Sequence, residues 1–286
     1  MDIVLSIAGI LVILVGLRDM FHSLLHPKGQ GGLSRGVLSG LWRVSRLAGH
    51  RFSSATGPAG MVAVILMWVL LQAVGWALVY LPHLPEGFSY SGVDPANHPN
   101  LSEALYVSLT TLSTVGFGDV VATSPWIRVA APLQALTGFA LLTAGLTWFT
   151  QVYPPLSHRR ALALALRGMK DAGYAEALHE VGPETAARVL DDLSGRIEQA
   201  GIDFAQHMES YFFVEEDAEL SLARQLPYAL ALRDSAHRSQ APELQAGATR
   251  LSAALDRLGA VLAEDFVSGD DAETIFAAYA EDHRRR

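Results

Sequence analysis

The sequence predicts an all-α membrane protein that ends in a separate, soluble helical domain. Three observations carry this. Half of the 286 residues are hydrophobic and only 17% are charged, where a soluble domain usually carries about 25%; mean hydropathy is positive. Three apolar segments each reach about the 20 residues needed to cross the hydrocarbon of a bilayer. Charge is also unevenly divided: residues 1–155 hold 7 Lys plus Arg and 6 Asp plus Glu, whereas residues 156–286 hold 14 and 23, a net of −9. The expected organisation is an N-terminal transmembrane helix at 1–26, a basic loop containing a helix at 27–60, a two-span domain at 61–155 and a helical domain at 156–286.

The first apolar segment runs from Ile3 to Leu25, with its apolar core ending at Leu17 and Arg18 and Asp19 following. The opening Met-Asp lacks the basic start of a signal peptide, and no small-residue cleavage site follows. Two placements accommodate Arg18 and Asp19, which are costly in lipid. In one the segment spans, with Arg18 snorkelling to the headgroups and Asp19 paired nearby; in the other it lies flat or inserts partly. The spanning placement is adopted. His22 and His26 stand four apart on one helical face and could hold a metal, but with Asp19 the only carboxylate near them, a place at the membrane interface is the simpler reading.

Residues 26–60 carry Lys28, Arg35, Arg43, Arg46 and Arg51 and no acidic residue. Cytoplasmic loops carry such an excess of positive charge, so this loop is expected inside. Within it, Leu33 to Leu47 has helical periodicity, and Val37, Leu41, Val44 and Leu47 can share one face. Two readings stay open: an interfacial helix on the inner leaflet, drawn to anionic lipid, or a helix packed on the chain's own C-terminal domain.

The second apolar segment, Met61 to Leu81, has Gln72 as its only strongly polar interior residue. The loop of residues 82–100 has Glu86 and Asp94 and no Lys or Arg, so it is expected outside. Arg159 and Arg160, after the third segment, are expected inside by the same rule. The chain is then a multi-pass protein of the plasma membrane with an external N-terminus and a cytoplasmic C-terminus.

Leu101 to Ser113 reads as a short helix, with Ser102 as N-cap and Glu103 favourable in the first turn. Thr110 and Thr111 are expected to bond backbone carbonyls. The helix leads directly into Thr114-Val115-Gly116-Phe117-Gly118-Asp119. A potassium ion sheds its water only where oxygens replace that shell, and backbone carbonyls can do so if successive residues turn them toward one axis. Gly116 and Gly118 tolerate the backbone angles this requires. Val115 and Phe117 would point away from the axis, and the Thr114 hydroxyl would add one more oxygen below the carbonyls. One loop supplies one wall, so further copies of the chain are needed to close a ring around that axis.

Thr110 to Asp119, Thr-Thr-Leu-Ser-Thr-Val-Gly-Phe-Gly-Asp, resembles the pore signature of the potassium channel family. The resemblance covers about Met61 to Pro155. It implies an outer helix, a pore helix, a selectivity filter and an inner helix around a tetrameric pore. It further implies potassium ions held at Thr114, Val115, Gly116 and Phe117, with Gly118 completing the filter and Asp119 bracing it. Phe117 stands where many members carry Tyr, so a hydroxyl behind the filter is missing. Thr110 stands where some members carry a Glu that pairs with the filter aspartate, so Asp119 must find another donor.

The third apolar segment, about Ile127 to Val152, should line the inner pore. Gly138 and Gly145 lie seven apart, with Thr137, Thr143 and Thr147 adding small polar groups. Either glycine could hinge the helix, or both could serve close packing. Trp148 and Phe149 could narrow the inner end as a hydrophobic gate or anchor it at the interface. Tyr153-Pro154-Pro155 breaks the helix.

Beyond it, apolar residues recur at helical spacing in Ala161–Met169, Thr185–Ala205, Leu220–Ala236 and Leu244–Phe266. Gly182-Pro183 and Gln240-Ala241-Pro242 read as boundaries, and Pro227 starts or kinks a helix; a bundle of four to six helices is expected. No Gly-x-Gly-x-x-Gly turn follows residue 156, which argues against gating through a dinucleotide-type fold. No span carries the regularly spaced arginines of a voltage sensor. Glu215-Glu216-Asp217-Ala218-Glu219 lacks the spacing of a calcium loop and reads as solvated surface.

The chain has no Cys, so disulfides and thiolate metal sites are excluded. No nucleophile–base set or metal quartet is present, so an enzyme is not expected, nor a cofactor beyond potassium as the transported ion, nor a nucleic-acid partner. The expected function is passive, potassium-selective conduction. The alternatives are weakly selective cation conduction, should Phe117 loosen the filter, and a membrane-anchored signalling protein with a vestigial pore. The gating stimulus and any cytoplasmic regulator are not legible.

Overall fold

The computed structural model describes residues 2–25, 31–47, 49, 53–92, 94, 96 and 100–284. His26, Lys28 and Arg51 lie outside the described residues, and with them the His22–His26 pair. The chain divides into two compact units, Met1–Val37 with Met61–Thr150 and Leu38–Gly60 with Gln151–Arg286. In this division residues 38–60 fall in the same unit as residues 151–286.

From the first unit, α1 (Asp2–Leu25) leads to α2 (Gly32–Leu47), which runs on into the second, and α3 (Ser53–Tyr80), which begins in the second, carries the second apolar run in the first. A 3-10 turn at Leu81–His83 and strand β1 (Phe88–Tyr90) follow, then the short helix α4 (Asn100–Leu112), strand β2 (Val120–Ala122) and the long helix α5 (Pro125–Gln151). Among the described residues three helices are long and apolar enough to cross a membrane, and they contain the three expected segments. α3 begins well before Met61 and carries Pro58 in its second turn, where the i to i−4 bond of that residue is missing.

Two features depart from an all-helical membrane domain. β1 and β2 pair antiparallel, with Phe88 opposite Ala122 and Tyr90 opposite Val120, a ribbon too short to show as alternation. It ties the end of α3 to the chain leaving the filter motif. The second is a buried polar network. Tyr80 Oη donates to Gln134 Oε1 at 2.8 Å, Gln134 Nε2 donates to the Ser108 carbonyl at 2.9 Å, and Ser108 Oγ donates to the Ala73 carbonyl at 2.8 Å. These bonds join α3, α4 and α5 where unpaired polar groups would be costly. Around them Ile13, Ala77, Tyr80, Leu84, Phe88, Val107 and Ile127 form an apolar core.

α5 buries one stripe, Ile127, Gln134, Leu141 and Trp148, each seven residues from the next. Val129, Leu133, Leu136, Phe139, Leu142 and Leu146 are exposed in the single chain.

The second unit holds α6 (Tyr153–Asp171), α7 (Tyr174–Ala177), α8 (Pro183–Gln206), α9 (Leu222–Gln225), α10 (Pro227–His237), α11 (Pro242–Asp265) and α12 (Ala272–Asp282). Five of these have eleven residues or more. The proline boundaries fall as expected: Pro183, Pro227 and Pro242 each open a helix, where the missing N–H has no partner to lose. Pro154 and Pro155 likewise lie in the first turn of α6, so the break after the third segment is a single turn residue, Val152, before a helix restarts.

The face of α2 differs from the one expected. Val44 and Leu47 are exposed, and the buried positions are Ser34, Leu38 and Trp42, a second i, i+4, i+8 set that the same spacing allows. Within the second unit the Trp42 ring packs on Tyr211, Phe212 and His283, and its Nε1 donates to Asp282 Oδ2 at 2.9 Å. Of the two readings of this helix, packing on the chain's own C-terminal helices is the one seen. Arg159 also packs within this unit. Its guanidinium is buried, donating to the Ser210 and Phe213 carbonyls over the Phe204 ring. Arg160 pairs with Glu215 at 2.9 Å. Both arginines are thus committed to the fold of this unit, and part of the acidic run with them.

Candidate functional site

α4 ends at Leu112, and the filter motif turns back over that end. The Thr114 N–H donates to the Thr111 carbonyl at 3.0 Å, and the Val115 and Gly116 N–H groups both donate to the Thr110 carbonyl, at 3.0 and 3.2 Å. The last carbonyls of α4 are thereby satisfied by the loop that follows. φ is +60° at Thr114, +49° at Gly116 and +83° at Gly118; Val115 and Phe117 are not in the positive region. A backbone whose handedness alternates residue by residue collects its N–H groups on one side. The amides of 114–116 are turned toward α4. A β-carbon at Gly116 or Gly118 would meet no neighbouring atom, so the backbone angles, not space, demand glycine there.

Every residue from Thr114 to Gly118 is exposed in the single chain. The Phe117 ring turns back onto α4, stacked on Tyr106 with centroids 6.5 Å apart and planes 6° from parallel. Val115 stays on the open surface.

Asp119 finds its donor in Tyr106, whose hydroxyl reaches Oδ2 at 2.6 Å. Oδ1 accepts the Val120 N–H at 3.0 Å, and the Asp119 carbonyl accepts the Ser91 N–H at 2.8 Å. The bond from Tyr106, with help from backbone N–H groups, holds the Asp119 carboxyl below the usual carboxylate range. Tyr106 thus reaches both Phe117 and Asp119. Thr110 touches the motif through its carbonyl, while its hydroxyl bonds the Tyr106 and Val107 carbonyls.

The inner-helix candidates resolve differently. A β-carbon at Gly138 would collide with the Leu112 carbonyl oxygen, the last residue of α4, so Gly138 serves a close approach. Gly145 faces the Ile65 side chain on α3, whose end a β-carbon would meet at 3.3 Å, a tight contact that a side-chain tip can relieve. Neither glycine lies where only a hinge would explain it. Trp148 is buried, its ring 5.5 Å from that of Trp68 on α3. Phe149 beside it is half-buried. Thr137 and Thr143 lie off the buried stripe, with hydroxyls bonded to carbonyls one turn back.

Sequence reasoning missed Tyr106, Gln134 and Trp68. Gln134 carried a signal, as an amide inside an apolar span. Beneath Thr114 an apolar cavity of about 310 Å³ is lined by Ile65, Val69, Leu109, Phe139 and Leu142. Among the described residues no cluster of His, Asp and Glu is arranged to hold a metal ion.

A family model described as ion channel matches residues 63–153. Protein LctB of Bacillus caldotenax is 31% identical over 113 residues, covering 37% of this chain and 78% of that protein. Protein LctB of Geobacillus stearothermophilus is 29% identical over 113 residues with the same shares. Two-pore potassium channel 5 of Arabidopsis thaliana is 33% identical over 79 residues, covering 26% of this chain and 19% of that protein. No solved structure matches the chain significantly.

Proposed function

The chain belongs to the potassium channel family, and from that premise we propose that it conducts potassium passively through a homotetrameric pore in the plasma membrane, with its C-terminal helices in the cytoplasm. The observation that carries the reading is the backbone of Thr114 to Gly118. Its φ angles alternate in sign, and its first amides are tethered to the end of α4. That leaves a row of carbonyl oxygens free to replace the hydration shell of a potassium ion. Four such rows close a filter, so three further copies are required. The exposed filter, the apolar cavity under Thr114 and the uncovered leucines of α5 are the surfaces that those copies and lipid would cover. Potassium is cargo here; the reading calls for no cofactor, nucleic acid or catalytic residue.

Asp119 and Tyr106 brace the outer end of the filter, and Thr110 braces the inner end through its carbonyl. Phe117 has no hydroxyl to bond behind the filter, and stacking on Tyr106 stands in for it. The exposed Arg35 and Arg43 of α2 fit anionic lipid at the inner leaflet. The test is reconstitution of the purified full chain into liposomes under a potassium or a sodium gradient. Flux with potassium and little with sodium supports the reading. Equal flux leaves a cation pore without selectivity, and no flux with either ion overturns conduction.

A further inference from the structure

Asp19 is a buried carboxylate on an apolar helix, and its surroundings explain how it is tolerated. Oδ1 accepts the Leu33 N–H at 2.8 Å; Oδ2 accepts the Ser34 N–H at 3.2 Å, Ser34 Oγ at 2.5 Å and Trp68 Nε1 at 2.9 Å. Leu33 and Ser34 belong to the first turn of α2, where unpaired N–H groups and the positive end of the helix dipole favour an anion. The carboxylate thus caps α2 from α1 and also holds the indole of α3. One turn beyond Trp68, Gln72 Nε2 donates to the Ile13 carbonyl at 3.1 Å, a second tie between α1 and α3.

Trp68 connects this cluster to α5. Its ring is fully buried and lies 5.5 Å from the Trp148 ring, tilted by 38°. Trp148 is the last residue of the buried stripe of α5, one turn before that helix ends at Gln151. An indole N–H inside this packing cannot be left without an acceptor at little cost. The position of the Trp68 ring is therefore set jointly by Asp19 on one side and Trp148 on the other.

We propose that Asp19 is a positioning residue for the inner helix: through Trp68 it fixes Trp148 and the last turns of α5, so that moving the start of α2 off Asp19 changes conduction. The inference rests on the conduction reading above. It gives the first span and the start of α2 a part in gating, and it makes Trp148 a lever held from outside the pore.

The test uses the full chain in liposomes. Asp19→Asn weakens the acceptor, Trp68→Phe removes the N–H and keeps a ring, and Ser34→Ala removes one donor and leaves both rings in place. The expected result is a change in steady-state potassium flux of about fivefold or more in Asp19→Asn and in Trp68→Phe. Both should move in the same direction, with the double variant matching the singles and the potassium-to-sodium ratio kept; Ser34→Ala should shift flux the same way by less. Additive effects, wild-type flux in assembled variants, or an altered ion ratio would overturn the proposal. If Asp19→Asn does not assemble, Ser34→Ala and Trp68→Phe supply the same cycle. Absence of flux from the unaltered chain would instead overturn the conduction reading, and this inference with it.

Discussion

The Tyr106 hydroxyl and the Asp119 carboxylate meet at 2.6 Å, joining the middle of α4 to the residue that follows the filter motif. Through this bond, and through the stacking of Tyr106 on Phe117, the loop of residues 117–119 is tied back to the helix that precedes it. Tyr106→Phe keeps the stacking and removes the bond. The expected outcome is an assembled protein whose potassium-to-sodium flux ratio falls by about tenfold, the equivalent of one hydrogen bond to a charged group. Paired ion-flux measurements on the two proteins check it.

The same bond sets a pH dependence. The Asp119 carboxyl lies below its ordinary range chiefly because Tyr106 donates to it. A depressed carboxyl keeps its ionised brace above its pKa and loses it as pH falls through that value. Selective flux should therefore persist to lower external pH in the unaltered chain than in Tyr106→Phe. Flux titrated against external pH measures the two midpoints, and coincident midpoints would count against the brace.

Gly138 and Gly145 separate close packing from hinging. A methyl group at Gly138 collides with the Leu112 carbonyl, whereas at Gly145 it meets only the movable Ile65 side chain. Gly138→Ala should abolish assembly or flux and Gly145→Ala should be tolerated, as judged by size-exclusion profile and potassium flux. Comparable loss in both would favour a hinge.

The C-terminal helices carry their own pH sensitivity. Burial pushes the His283 imidazole down to about 4, although its two ring nitrogens lie 2.8 and 3.2 Å from the Tyr211 and Tyr279 carbonyls. Desolvation outweighs these acceptors because protonation would place a charge in an aromatic core. The unfolded state then binds more protons than the folded one between about pH 6.5 and about pH 4, so stability falls as pH drops through that window. Thermal unfolding followed from pH 7 to pH 4.5 should show a falling midpoint, with a shallower fall in His283→Phe.

Much of this architecture was legible in the chain. The filter motif stands out because several consecutive residues must each satisfy a backbone or polar requirement, and the spans stand out by length and composition. The proline boundaries at 183, 227 and 242 could be read because proline suits the first turn of a helix. Partners across space could not. Tyr106 looks like any aromatic on a short helix until α4 is laid against the chain leaving the filter. The buried face of α2 was ambiguous because Leu38 and Trp42 satisfy the same period as Val37, Leu41 and Val44. α12 was missed although Asp271 and Thr274 cap it reciprocally, since its apolar run is only three turns long. Trp148 illustrates the limit best: its place near the end of the third apolar segment allowed either a gate or an interfacial anchor, and its packing on Trp68 could not be read from the chain.

The most direct measurement compares potassium and sodium flux through liposomes carrying the unaltered full chain with flux through Gly116→Ala, which places a side chain where φ is +49°. The account predicts potassium flux with little sodium flux in the first protein and none of either in the second. Flux that survives unchanged in Gly116→Ala would contradict it, because ions would then be crossing without the carbonyls of Thr114 to Gly118.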